Sequence, residues 1–226
     1  MNGKKKEPLT ELQQKIINTF KKLEEAKEFY FTGGSALAFY YLHHRISEDV
    51  DFFTSTEDMI QIVSKKLENA LKKQNIQIDT IRNFKSFVEL IAKTQKETTK
   101  IHISLDSPYK IEKPVEKSQN FKVDSLIDMA IGKLLALFVR AEERDFIDIY
   151  FLVKKGYFTL EQLIEKAFIK DPDLDKYYLA IAFEQVRNIP DKIEDLKLNL
   201  LKPLDIKELK KMFIDQAVKL LSEIEK

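Results

Sequence analysis

Apolar residues recur along the chain in two rhythms, and the change from one to the other divides it. In residues 10–27, Leu12, Ile16, Ile17, Phe20 and Leu23 fall at helical spacing behind Thr10, a residue suited to cap a helix. EFYFT (28–32) is short and aromatic and leads into Gly33-Gly34, which predicts a strand entering a tight turn. SALAFYYLHH (35–44) predicts a helix opening on a capping Ser35, and DVDFFT (49–54) a second strand. Residues 57–74 predict an amphipathic helix. Strand-like runs follow at 75–83, 86–93 and 100–106, with the polar TQKETT as a hairpin tip between the last two. Residues 107–122 carry Pro108, Pro114 and Lys110, Lys113, Lys117 and Lys122, and predict a loop and hinge. From Asp124 onward only the helical rhythm remains.

This order predicts an α+β fold: a first domain over residues 1–122 and an all-helical second domain over residues 123–226. Hydrophobic residues make up 44% of the 226, enough for a sizeable core, and 16 Phe and 8 Tyr supply much of it. The 38 basic and 37 acidic residues nearly cancel, which argues against a uniformly cationic nucleic-acid coat. The balance is uneven, however. Up to Lys122 there are 21 basic and 17 acidic residues, and after it 17 and 20, so the positive bias accompanies the Gly-Gly segment. Cysteine is absent, which excludes thiolate metal sites and cysteine nucleophiles. With 3 His, a His-rich zinc site is disfavoured. No apolar run approaches the ~20 residues of a membrane span, and the first residues have no apolar stretch behind their charge. A cytoplasmic protein is expected.

Two features carry candidate chemistry. A strand running through Gly33-Gly34-Ser35 into a helix gathers backbone N–H groups where no Cβ blocks an anion, which suits phosphate. The same pattern also serves an ordinary strand–helix turn. Asp49 and Asp51 alternate along one strand and so share a face. Paired carboxylates are tolerable when solvated or when a cation sits between them, and Mg²⁺ prefers such oxygen ligands. Together, a glycine turn and paired acids on neighbouring strands predict a nucleotide site.

The pattern G-G-S-x13-D-V-D is similar to that of the polymerase-β-type nucleotidyltransferase superfamily. More closely, TGGSALAFYYLHHRISEDVDFFT resembles the AbiEii/AbiGii toxin family, and IGKLLALFVRAEERDFIDIYFL (131–152) is similar to that family's second, helical motif. The resemblance implies a polymerase-β-type mixed sheet with flanking helices, followed by a helical part. It also implies a Mg²⁺-dependent nucleotidyltransferase, with Mn²⁺ as the alternative ion. An NTP would be the donor and an RNA such as tRNA the acceptor. The chain would then be a toxin with a cognate antitoxin.

On the matching positions, the resemblance implies that Asp49, Asp51, Lys133 and Asp145 are catalytic, with Asp148 a lesser participant. Gly33, Gly34, Ser35, Arg45 and Lys133 would contact the nucleotide, Lys133 across an interdomain cleft. The metal would fall to Asp49, Asp51 and a third acid. Here the chain departs from the superfamily, because His102 stands in mid-strand where an acid is expected. Asp106, on the same face of KIHISLD, is the first candidate for the third ligand, and Glu89 the second. His102 would then be placed as a general base. The loop lysines are either a solvated connection or contacts to an RNA backbone. The competing expectations are a nucleotide-binding protein without transfer activity and a helical module that binds a partner.

Overall fold

The structure is a computed structural model of the chain, and it describes residues 7–119 and 121–224. The chain divides into two compact units, the first ending at Leu126 and the second beginning at Ile127.

In the first unit α1 (Glu11–Phe20) opens on a reciprocal cap in which Thr10 and Gln13 satisfy each other's backbone N–H groups. A short 3-10 turn leads to β1 (Tyr30–Thr32), α2 (Gly33–Leu37) and a π-turn over Ala38–Leu42. β2 (Asp49–Thr54), α3 (Asp58–Lys72), β3 (Gln77–Phe84), β4 (Phe87–Lys93) and β5 (Thr98–Leu105) follow. The expected loop over 107–122 instead contains β6 (Val115–Ser118) and begins β7 (Phe121–Val123). β7 crosses the position where the hinge was expected. These strands are too short to show a period; only the buried Phe121 and Val123 betray them.

The seven strands form one mixed sheet in the order β3-β4-β5-β2-β1-β7-β6. β2 runs antiparallel to β1 and parallel to β5, and β1 runs parallel to β7. One face buries Phe31, Val50, Phe52, Val88, Leu90, Ile101 and Ile103, with α1 and α3 packed in the same core. Phe20 stacks on Phe52 at 3.7 Å between ring centres. Because side chains alternate, the other face presents Asp49, Asp51, His102 and Glu89.

The second unit contains α4 (Leu126–Arg140), α5 (Glu143–Lys154), α6 (Leu160–Lys170), α7 (Lys176–Glu184) and α8 (Ile206–Ile224). Its core holds Leu134, Phe146, Phe183, Leu209 and Phe213, with Phe213 edge-on to both other phenylalanines. α5 is buried without a break from Asp145 to Leu152, so two acids lie inside. No helix among the described residues is long and apolar enough to cross a membrane.

Candidate active site

The site begins where β1 ends. Gly33 has φ +74°, a conformation that side chains rarely adopt. A Cβ there would stand 2.8 Å from Cγ of Asp51 and closer still to its Oδ2. The carboxylate of Asp51 therefore fills the space that glycine leaves open. Gly34 is buried in α2. Ser35 is neither the cap, which is Thr32, nor turned outward: its buried hydroxyl donates to the backbone carbonyl of Asp49. That hydrogen bond ties α2 to the start of β2. Arg45 is 1% exposed and donates from Nη1 to the Ile46 carbonyl at 3.4 Å. Its guanidinium braces the approach to β2 from inside.

Sheet register sets the rest. Thr32, Asp51, His102, Glu89 and Arg82 lie opposite one another in turn on β1, β2, β5, β4 and β3. His102 Nδ1 lies 2.9 Å from Asp51 Oδ1, its Nε2 is 4.0 Å from Glu89 Oε1, and Arg82 Nε is 3.3 Å from Glu89 Oε2. Burial alone would lower the pKa of His102. The hydrogen bond to Asp51 and the charges of Asp51, Asp49 and Glu89 outweigh it and raise the pKa above 6.5. Nδ1 of the imidazole is thus engaged with Asp51. Asp49 has Lys100 as its cross-strand neighbour, and that lysine is exposed.

Asp106 is not brought to this pair. It follows β5, four residues beyond His102, on the order of 13 Å along an extended strand. There it accepts hydrogen bonds from Tyr30 Oη and from Lys110, whose Nζ is 2.8 Å away. Lys110 also lies 3.2 Å from Asp124 Oδ1 and 4.2 Å from the centre of the Tyr30 ring. Asp124 in turn accepts from Thr32 Oγ1 at 2.9 Å, so the cluster secures the end of β1. Lys117 lies over the Tyr40 and Tyr41 rings, and Lys122 donates to the Lys27 carbonyl at 2.7 Å. Three of the four loop lysines are thus tied into the fold. Among the described residues, no group of three or more acidic or histidine side chains stands so that it could hold a metal ion. The donor chemistry at Asp49 and Asp51 still fits a hard divalent ion, since two carboxylates share a face and one lies in a glycine cradle.

In the second unit Lys133 is 8% exposed, and its Nζ is 2.8 Å from Asp148 Oδ2 and 3.7 Å from Asp145 Oδ1. Arg140 grips Asp145 with two hydrogen bonds, 2.7 and 2.9 Å. Asp148, not Asp145, is the nearer partner of Lys133, and Arg144 pairs with Glu142 at 2.7 Å. A lysine this buried, with its charge matched by two acids, is not a snorkelling surface residue.

From residue 15 to 223 the chain matches the family described as nucleotidyl transferase AbiEii toxin, type IV toxin–antitoxin system. The chain belongs to the AbiEii family. Two solved structures are similar to it, one of a candidate nucleotidyltransferase from H. pylori and one of JHP933 from Helicobacter pylori. The first has a TM-score of 0.59 at 19% identity, covering 94% of each chain. The second has a TM-score of 0.55 at 19% identity, covering 96% of this chain and 95% of that one. At such identity they bear on the fold, the α+β nucleotidyltransferase fold of a mixed sheet with flanking helices. Comparison with curated proteins returns no match.

Membership in the AbiEii family makes this a chain of a nucleotidyltransferase toxin family. Lys100 and Arg82 did not stand out in its sequence. Each is a lone cation in a polar strand, and only the strand register places one beside Asp49 and the other behind Glu89.

Proposed function

We propose that the chain transfers a nucleotide from a nucleoside triphosphate to an RNA acceptor, tRNA being the class the family resemblance favours. On this reading the transfer is the toxic activity of a cytoplasmic toxin that a cognate antitoxin opposes. One observation carries the proposal: Asp49 and Asp51 share a face of β2, and the carboxylate of Asp51 lies in the cradle of Gly33.

Asp49 and Asp51 would hold the divalent ion, Mg²⁺ or Mn²⁺, which when bound offsets triphosphate charge and makes the α-phosphorus more electrophilic. Gly33 keeps the backbone low, so that the carboxylate of Asp51 can lie against it. Lys100, exposed and next to Asp49, supplies a positive charge to the β- and γ-phosphates. Ser35 and Arg45 set the position of β2 from inside, and the Lys110–Asp124–Thr32 cluster sets that of β1. An RNA hydroxyl oxygen then attacks in line, losing its proton to water and forming a bond to the α-phosphorus as the bond to the departing pyrophosphate breaks. Lys133, Asp145 and Asp148 act at one remove, by holding the helical unit in shape.

The test incubates the intact chain with total RNA, a divalent ion and each common NTP in turn, then sequences RNA 3′ ends. Added nucleotides on a defined RNA class support the proposal. Nucleotide binding without any addition would identify a binding protein instead.

A further inference from the structure

A recess of about 430 Å³ opens in the first unit between α1 and the π-turn, lined chiefly by Gln14, Asn18, Lys21, Phe31, Phe39 and Tyr40. That volume is ordinary for a small-ligand site. Phe31 alternates with Thr32, the cross-strand neighbour of Asp51, so the recess lies on the sheet face away from the acids of β2. We propose that it binds a nucleotide unit, a base with its phosphate. The inference does not need the transferase reading.

The first support is a set of rings. Buried Phe31 has Phe121 at 6.3 Å and Tyr40 at 6.4 Å between ring centres. Phe39 and Tyr40 meet edge-on at 5.0 Å and are half-buried. Rings that are held in place yet partly open offer a face on which a base can stack.

The second is cationic charge without acids. Lys21 Nζ lies 4.4 Å from the centre of Phe121, and the Nζ of Lys117, on β6, lies 5.6 Å from that of Tyr40. Among the described residues neither lysine has a carboxylate partner, and Glu7, the acid in the lining, pairs with neither. Burial lowers the pKa of Lys21, and no carboxylate offsets it. A ring face attracts an ammonium but leaves N–H donors from which phosphate oxygens can accept.

The third is spacing. Gln14, Asn18 and Lys21 fall at i, i+4 and i+7, so one polar stripe runs along α1 beside the rings. The amide of Asn18 has no protein partner among the described residues, and it can both donate to and accept from a base edge.

The proposal is tested by titrating the full chain with AMP, CMP, GMP and UMP, with a single-stranded RNA hexanucleotide, and with benzoate as an aromatic anion lacking a base. Tyr40→Leu should weaken nucleotide binding about 5–100-fold. Lys21→Gln and Lys117→Gln should each weaken it and flatten its salt dependence. Asp51→Asn should leave binding at the recess unchanged. Lys117 is exposed, so its variant keeps the test open if Tyr40→Leu disturbs folding. Monophosphates bound as tightly as the RNA identify a free nucleotide as the ligand, whereas tighter binding of the RNA identifies a residue of an RNA chain. Absence of nucleotide binding, undiminished binding by folded Tyr40→Leu and Lys117→Gln, or benzoate bound as well as the nucleotides would overturn the proposal. None of these results would bear on transfer at Asp49 and Asp51.

Discussion

Gly33 and Asp51 occupy what is sterically a single position: the carboxylate of Asp51 lies where a side chain on residue 33 would begin. The turn glycine thus shapes the acid directly, besides bending the chain. Gly33→Ala should cost about 1–2 kcal/mol through its positive φ alone. It should also displace Asp51. We expect transfer to disappear at temperatures where circular dichroism still shows the folded chain. Full activity in a folded Gly33→Ala variant would show that the contact is incidental.

Lys100 offers a cleaner separation of binding from folding. It is exposed, and a surface substitution usually changes stability by no more than ~0.5 kcal/mol. Lys100→Ala should therefore leave the melting curve in place while raising the NTP concentration needed for half-maximal transfer. An unchanged NTP dependence would remove Lys100 from the site.

Asp106→Asn should leave transfer at the parent rate, because Asp106 is joined to Tyr30 and Lys110 rather than to Asp51. Lys110 keeps Asp124, so the expected loss is about 1 kcal/mol, measured by urea unfolding. A severe loss of transfer in a fully folded variant would return Asp106 to the metal site.

The Gly33–Asp51 region was legible because its signals are local. A glycine turn, a strand of alternating acids and its Phe-Phe end all fall within a few residues, and β2 spans 49–54 as its pattern implies. Its position beside β5 was legible only as a condition, namely that the face of His102 turns the same way. Three things were not legible. β6 and β7 are too short to show a period. The hydroxyl of Ser35 reaches a carbonyl 14 residues away, which no capping rule describes. Lys133 and Arg140 find their acids on the next helix, whereas local spacing pairs Arg144 with Asp148.

That last network gives a stability prediction. Asp148 is fully buried and is the nearest partner of Lys133, so Asp148→Ala leaves a buried ammonium stranded 3.7 Å from its other carboxylate, Asp145, which Arg140 already holds. A cost of about 3–5 kcal/mol is expected in chemical unfolding followed by helical circular dichroism. Adding Lys133→Met should recover much of it, since the stranded charge is then gone. If Asp148→Ala costs less than ~1 kcal/mol, the pair does not hold the helices together.

The most direct test of the central claim compares the intact chain with Asp51→Asn, using α-labelled NTP and total RNA. The substitution keeps the shape of the side chain and removes its charge, so any change reports on chemistry rather than packing. We predict label in RNA from the intact chain and at least ~100-fold less from the variant, with melting temperatures within a few degrees of each other. Equal labelling by the two proteins would contradict the account.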